Sequence, residues 1–105
     1  MLGNDLFQPD AHAEPERELT RRIHAAVLRL LSSRKPGATI CPGDAARAVA
    51  RELACEWRDL MRPVRHVAAQ MVDQGLIEVI QHGGAVSIEE ARGPLRMRRR
   101  RPRYS

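Results

Sequence analysis

A mainly α-helical fold closed by a small β-hairpin is predicted by three features of the sequence. Apolar residues recur at three- and four-residue steps through successive segments, which builds helices with one buried face. Proline and glycine stand at the borders of those segments, where helices start and stop. After Gly75 the apolar spacing changes from helical to β-like, in Leu76-Ile77-Glu78-Val79-Ile80-Gln81.

The elements follow in order. Residues 1–14 carry Gly3, Asn4, Asp5, Pro9 and Asp10 without a periodic apolar pattern and are expected to be disordered. A first helix is predicted from about Pro15 to Ser33, with Pro15 in its first turn. Glu14, Glu16 and Glu18 complement the positive end of its dipole, and Leu19, Ile23, Ala26, Val27, Leu30 and Leu31 form its apolar face. Arg34-Lys35-Pro36-Gly37 ends it. Ala38-Thr39-Ile40 is too short to stand as a strand on its own. Pro42 opens a second helix whose inner side is Ala45, Ala46, Val49, Ala50 and Leu53. Trp57 to Met61 makes about one helical turn. Pro63 would cost about 3 kcal/mol deep in a helix and almost nothing at its start, so a third helix is placed from near Arg62 to Gln74. Val64, Val67, Ala68, Met71 and Val72 are its buried stripe, and Gly75 caps it. His82-Gly83-Gly84 signals a tight turn, with Ala85-Val86-Ser87-Ile88 as the returning strand. Leu95 and Met97 alternate with Arg96 and Arg98, as in a further short edge strand.

A two-stranded hairpin is not stable alone, so it must pack on the helices, with Thr39-Ile40 available as a third strand. This order is that of a winged helix-turn-helix: three helices with a two- to three-stranded antiparallel wing, the helix from Pro63 to Gln74 in the recognition position and His82-Gly83-Gly84 at the wing tip. The expected division is a disordered segment 1–14, a winged-helix domain 15–97 and a disordered Arg-rich tail 98–105.

Thr39-Ile40-Cys41-Pro42, Trp57-Arg58-Asp59-Leu60-Met61, Val64-Arg65 with Ala68-Ala69, Gly75, and Arg92-Gly93-Pro94-Leu95-Arg96 together resemble a family of small bacterial winged-helix domains of unknown function. The resemblance covers roughly residues 19–98, and it departs at Gly43-Asp44, where the family usually has Ser-Glu. It implies the fold strongly and an activity hardly at all; losing the serine is expected to weaken the start of the second helix.

Net charge is +5, and residues 92–105 hold seven arginines (Arg92, Arg96, Arg98, Arg99, Arg100, Arg101, Arg103) with no acid, which leaves residues 1–91 at −2. The basic character is therefore read as a tail on a nearly neutral body. Phe7, Trp57 and Tyr104 are the only aromatic residues, too few for a platform that stacks single-stranded bases. No apolar stretch is long enough to span a membrane, no secretory signal is visible, and a cytoplasmic protein with both thiols (Cys41 and Cys55) free is expected.

The candidate site is a nucleic-acid interface, with DNA favoured and RNA open. Arg62, Arg65, His66 and Gln70 share the exposed side of the third helix, and arginine and glutamine are the residue types that reach guanine and adenine edges. His82 at the wing, with Arg96, Arg98, Arg99, Arg100, Arg101 and Arg103, would meet phosphates without reading sequence. Asp73 on the same helix side opposes phosphate. The alternative is a protein-interaction module of the same fold, which an exposed apolar patch would favour. A thiol sensor using Cys41 and Cys55 is the third reading, against which Cys41 reads more simply as a small residue at a helix start. Trp57 is expected to anchor the core between the second and third helices, with Leu60 and Met61 beside it, and His24 to be a partly buried structural residue. His12, His24, His66 and His82 lack metal-site spacing, the thiols have no nucleophile–base–orienter constellation, and no Gly-rich phosphate loop, nucleophile elbow or HExxH occurs, so neither a metal, a cofactor nor an enzyme is expected.

Overall fold

A computed structural model describes residues 9–88 and 91–100. Three helices pack against a four-stranded antiparallel sheet. The helices are α1 (Pro9–Ser32), α2 (Pro42–Leu53) and α3 (Met61–Asp73), with a 3₁₀ turn at Trp57–Leu60 leading into α3. The strands are β1 (Thr39–Ile40), β2 (Ile77–Gln81), β3 (Gly84–Ala85) and β4 (Arg96–Arg99), in the spatial order β1-β4-β2-β3. This is a winged-helix arrangement, as the element order predicts. No helix among the described residues is long and apolar enough to cross a membrane.

Helix α1 begins at Pro9 rather than Pro15, and residues 9–14 are helical where disorder was expected; residues 1–8 lie outside the described residues. Pro9 is thus the first-turn proline. Pro15 lies inside the helix and forfeits one backbone bond there. Ile23, Ala26, Val27 and Leu31 bury the face of α1 that meets α2 and α3. Arg22 and Arg29 of α1 both reach Glu52 of α2, at 3.1 and 3.4 Å, tying the two helices at their surface. His24 is half-buried beside this stripe.

The start of α2 is held by Asp44. The Asp44 carboxylate accepts the Cys41 backbone N–H at 3.0 Å and closes a capping box around the first turn. The α2 helix ends at Ala54, which sits in the left-handed region at φ 56°, and the Cys55 N–H donates to Ala50 O at 3.1 Å. A glycine would hold that conformation without the strain a Cβ brings.

Pro63 is the third residue of α3, where its missing N–H would have had no partner in the helix. Val64, Val67, Ala68 and Met71 are its buried residues. Gly75, at φ 78°, ends it in a Schellman turn: Gly75 N–H donates to Val72 O at 2.9 Å and Leu76 N–H to Met71 O at 3.0 Å.

The sheet departs most from expectation. The returning strand β3 keeps only two pairs with β2, Ile80 with Ala85 and Gln81 with Gly84. The remainder of β2 is paired by β4, in the register Ile77–Arg99, Glu78–Arg98, Val79–Met97 and Ile80–Arg96. On its other side β4 takes β1, Thr39 with Arg98 and Ile40 with Met97. The segment expected at the edge is therefore a central strand, and Arg98 and Arg99 lie within the domain, not in a tail beginning at residue 98. The physical reason is alternation: Leu95 and Met97 are buried at 2% and 0% exposure, so their apolar side chains hold the strand against the core. Ile40, Ile77 and Val79 complete this inner layer.

Candidate nucleic-acid interface

The second and third helices, joined by the 3₁₀ turn, form the helix-turn-helix, and the sheet supports α3 from behind. With one side of α3 packed on the core, Arg62, His66, Gln70 and Asp73 are exposed and Arg65 and Ala69 half-exposed on the other. The structure thus brings Arg62, Arg65, His66 and Gln70 onto one helix surface. His66 Nε2 and Gln70 Nε2 are 3.4 Å apart across one helical turn, a long contact that leaves both side chains free to find better partners. Among the described residues neither Arg62 nor Arg65 forms an ion pair or side-chain hydrogen bond. Asp73 does not neutralise them. At 1.5 Å rise per residue it stands roughly 12 Å along the axis from Arg65, beyond the screening length of about 8 Å at physiological salt.

The turn entering α3 holds cationic residues that sequence reasoning did not select. Trp57 is half-buried at the margin of the core, not within it, and two guanidinium groups lie over its ring, Arg47 at 4.2 Å and Arg58 at 4.6 Å. Arg58 is also paired with Glu56 at 3.0 Å. Arg47, Arg51, Cys55 and Trp57 border a shallow hollow of about 290 Å³. The signal was available: Arg47 and Arg51 are one helical turn apart on α2, opposite its small-residue face.

The wing tip is a two-residue turn. His82 at φ 54° and Gly83 at φ 85° both occupy the left-handed region, as a type I′ hairpin requires, and His82 is exposed. The arginines that follow are not gathered at the wing. Arg96 pairs with Ile80 near the tip, but its Nε donates to Thr39 Oγ1 at 2.8 Å and its Nη2 to Thr39 O at 3.1 Å. From there β4 runs away from the tip. Arg98 holds Glu78 Oε1 through Nε and Nη2, each at 2.9 Å. Arg99 Nη1 donates to Ser32 Oγ at 3.2 Å, and the Arg100 backbone N–H donates to Leu76 O at 3.1 Å, beside the end of α3. Arg98, Arg99 and Arg100 thus lie toward the end of the sheet opposite the wing. Arg92 is exposed, and its carbonyl, like that of Pro94, accepts from Gln81 Nε2. Arg101 and Arg103 lie outside the described residues.

At the start of α2, partial burial works to raise the pKa of Asp44. The Cys41 backbone and thiol hydrogen bonds, with the charges of Arg34 and Arg96, outweigh it and hold the carboxyl below its ordinary 3.8. Cys41 is half-buried and Cys55 exposed, and both are free thiols. Among the described residues no group of three histidine, cysteine or acidic side chains is placed to hold a metal ion.

Residues 20–100 match the model of the family described as "Protein of unknown function (DUF3253)". No curated protein matches the chain.

Proposed function

The chain belongs to this family of unknown function, DUF3253, and from that premise we propose that it is a cytoplasmic nucleic-acid-binding module that docks α3 in the major groove of duplex DNA and serves in transcription regulation. The observation that carries the reading is the pair Arg62 and Arg65, cationic and unengaged on the exposed side of the recognition helix, one turn from His66 and Gln70. Arginine offers a bidentate fork to guanine and glutamine one to adenine, and a helix of this length fits the groove. Arg51, exposed on α2, is suited to the flanking phosphate backbone.

The rival reading, a protein-docking winged helix, would need an exposed apolar patch on α3 or the hairpin. The large apolar side chains exposed among the described residues are Leu53 and Leu76, at 40% and 36%; Leu53 ends α2 and Leu76 stands at the base of the hairpin, so the exposed side of α3 carries neither and the hairpin carries one. The test is selection of a preferred duplex from a random pool, followed by comparison of the intact chain with Arg65→Ala. The reading expects a preferred site and a loss of about 1–3 kcal/mol of discrimination at one base pair. A chain that binds every duplex equally, before and after the change, contradicts it.

A further inference from the structure

A second cationic locus lies away from the exposed side of α3. Where α1 ends, Ser32, Arg34, Lys35 and Gly37 face Arg99 of β4 across a cleft of about 240 Å³. Two of its cations are fixed in place. Arg99 is set by its strand pairing with Ile77 and by its bond to Ser32 Oγ at 3.2 Å. Arg34 Nη1 donates to Thr39 O at 3.3 Å. Each bond uses one of five guanidinium N–H donors, so both groups keep donors to spare. The loop that carries Lys35 is held by a turn through Pro36-Gly37, with Ala38 N–H donating to Lys35 O at 2.9 Å. No carboxylate lines the cleft, and the nearest acid on the sheet, Glu78, is taken by Arg98.

Cations also gather at helix C-termini simply to complement the dipole. The end of α1 carries the equivalent of roughly half a negative charge, and Arg34, Lys35 and Arg99 bring three positive ones. Arg34 shares part of its charge with Asp44, while Lys35 and Arg99 form no ion pair among the described residues. A small cleft with excess positive charge, a hydroxyl and several oriented N–H donors is chemically suited to a dianionic or bridging phosphate. We propose that this cleft is a phosphate-binding site, contacted by Lys35, Arg34, Arg99 and the Ser32 hydroxyl. Its phosphate comes either from a nucleic-acid backbone or from a free phosphorylated compound.

The experiment is a titration of the full chain with inorganic phosphate at ionic strength matched with chloride, followed by the backbone amide signals of Ser32, Lys35, Gly37 and Arg99. The expected result is a saturable shift of those signals, weakened about tenfold in Lys35→Ala, the loss of one charge-assisted contact. Lys35 is exposed and holds no part of the core, so that variant stays folded; Arg99→Ala repeats the test from the strand side. Shifts that rise without saturation, that chloride reproduces, or that survive Lys35→Ala unchanged overturn the proposal. Once the site is established, a short duplex DNA separates the sources. Displacement of phosphate by the duplex assigns the site to the nucleic-acid backbone, and retention assigns it to a free phosphorylated compound. Neither result depends on Arg65, so the reading of α3 stands or falls separately.

Discussion

On the exposed side of α3, Arg62 and Arg65 have no acid or hydrogen-bond partner among the described residues, whereas on the sheet Arg98 grips Glu78 at 2.9 Å and Arg96 grips Thr39 Oγ1 at 2.8 Å. The residue type is the same, and the exposure is broadly similar. What differs is whether the guanidinium is already committed. An arginine held by a carboxylate has its charge partly neutralised before it meets a phosphate or a base, and one without an acidic partner gives up only water. Charge density along the sequence would rank Arg96 and Arg98 first as ligands, and partner geometry ranks them behind Arg62 and Arg65.

The sharpest break of that comparison is on the sheet side. Met97→Ala should cost about 2–5 kcal/mol, because it opens a cavity under the central strand. Denaturant unfolding measures it, and a loss under 1 kcal/mol would mean that β4 is peripheral after all. On the α3 side, Arg62→Ala and Arg65→Ala should each weaken duplex binding about tenfold at fixed salt, with unfolding curves unchanged.

Asp44→Asn should cost about 1 kcal/mol by loosening the cap of α2. Because the folded-state pKa of Asp44 is lowered, its contribution is present above pH 3.8 and is lost as pH falls below that through the folded value. The stability gap between the two proteins should therefore be flat near neutrality and shrink in acid. A gap that persists undiminished at pH 2 would remove Asp44 from the account. Arg98→Ala should cost less than about 1 kcal/mol, as exposed cross-strand pairs do, and should leave duplex affinity unchanged. Equal losses of affinity from Arg98→Ala and Arg65→Ala would erase the distinction between committed and free arginines. The smallest effect is a gain: Ala54→Gly should stabilise by about 0.5 kcal/mol, by relieving the left-handed residue between the two helices of the motif. Its readout is again the unfolding midpoint.

These effects also locate what the sequence could reveal. Helix ends written in local chemistry were legible: Pro42 and Gly75 fix α2 and α3 where their conformational preferences require. The exposed set on α3 was legible for the same reason, since helical periodicity decides which side faces out. The centrality of β4 was not. Strand pairing is non-local, and Leu95 and Met97 set among arginines read equally well as a basic extension. Glu78, the partner that neutralises Arg98, is 20 residues away and adjacent only across the sheet. Pro15 misled in the other direction, because a proline ordinarily marks a helix start and here a second proline, Pro9, does so. Trp57 was expected to anchor the core between the second and third helices; it packs against the core half-buried, and the arginines of α2 and of its own turn lie over its ring.

A consequence for experiment is that truncation cannot separate body from tail. A chain cut after Ala91 loses β4, and with it the strand that joins β1 to β2. The direct measurement is therefore duplex binding of the full chain across a salt series, compared with the Arg62→Ala, Arg65→Ala double variant. Each phosphate neutralised contributes about −0.9 to the slope of log affinity against log salt, and a base contact contributes none. Working through α3, the double variant should bind more weakly at every salt concentration and lose its preference among sequences. Unchanged affinity and unchanged preference would show that α3 does not meet the duplex, and would contradict the central claim.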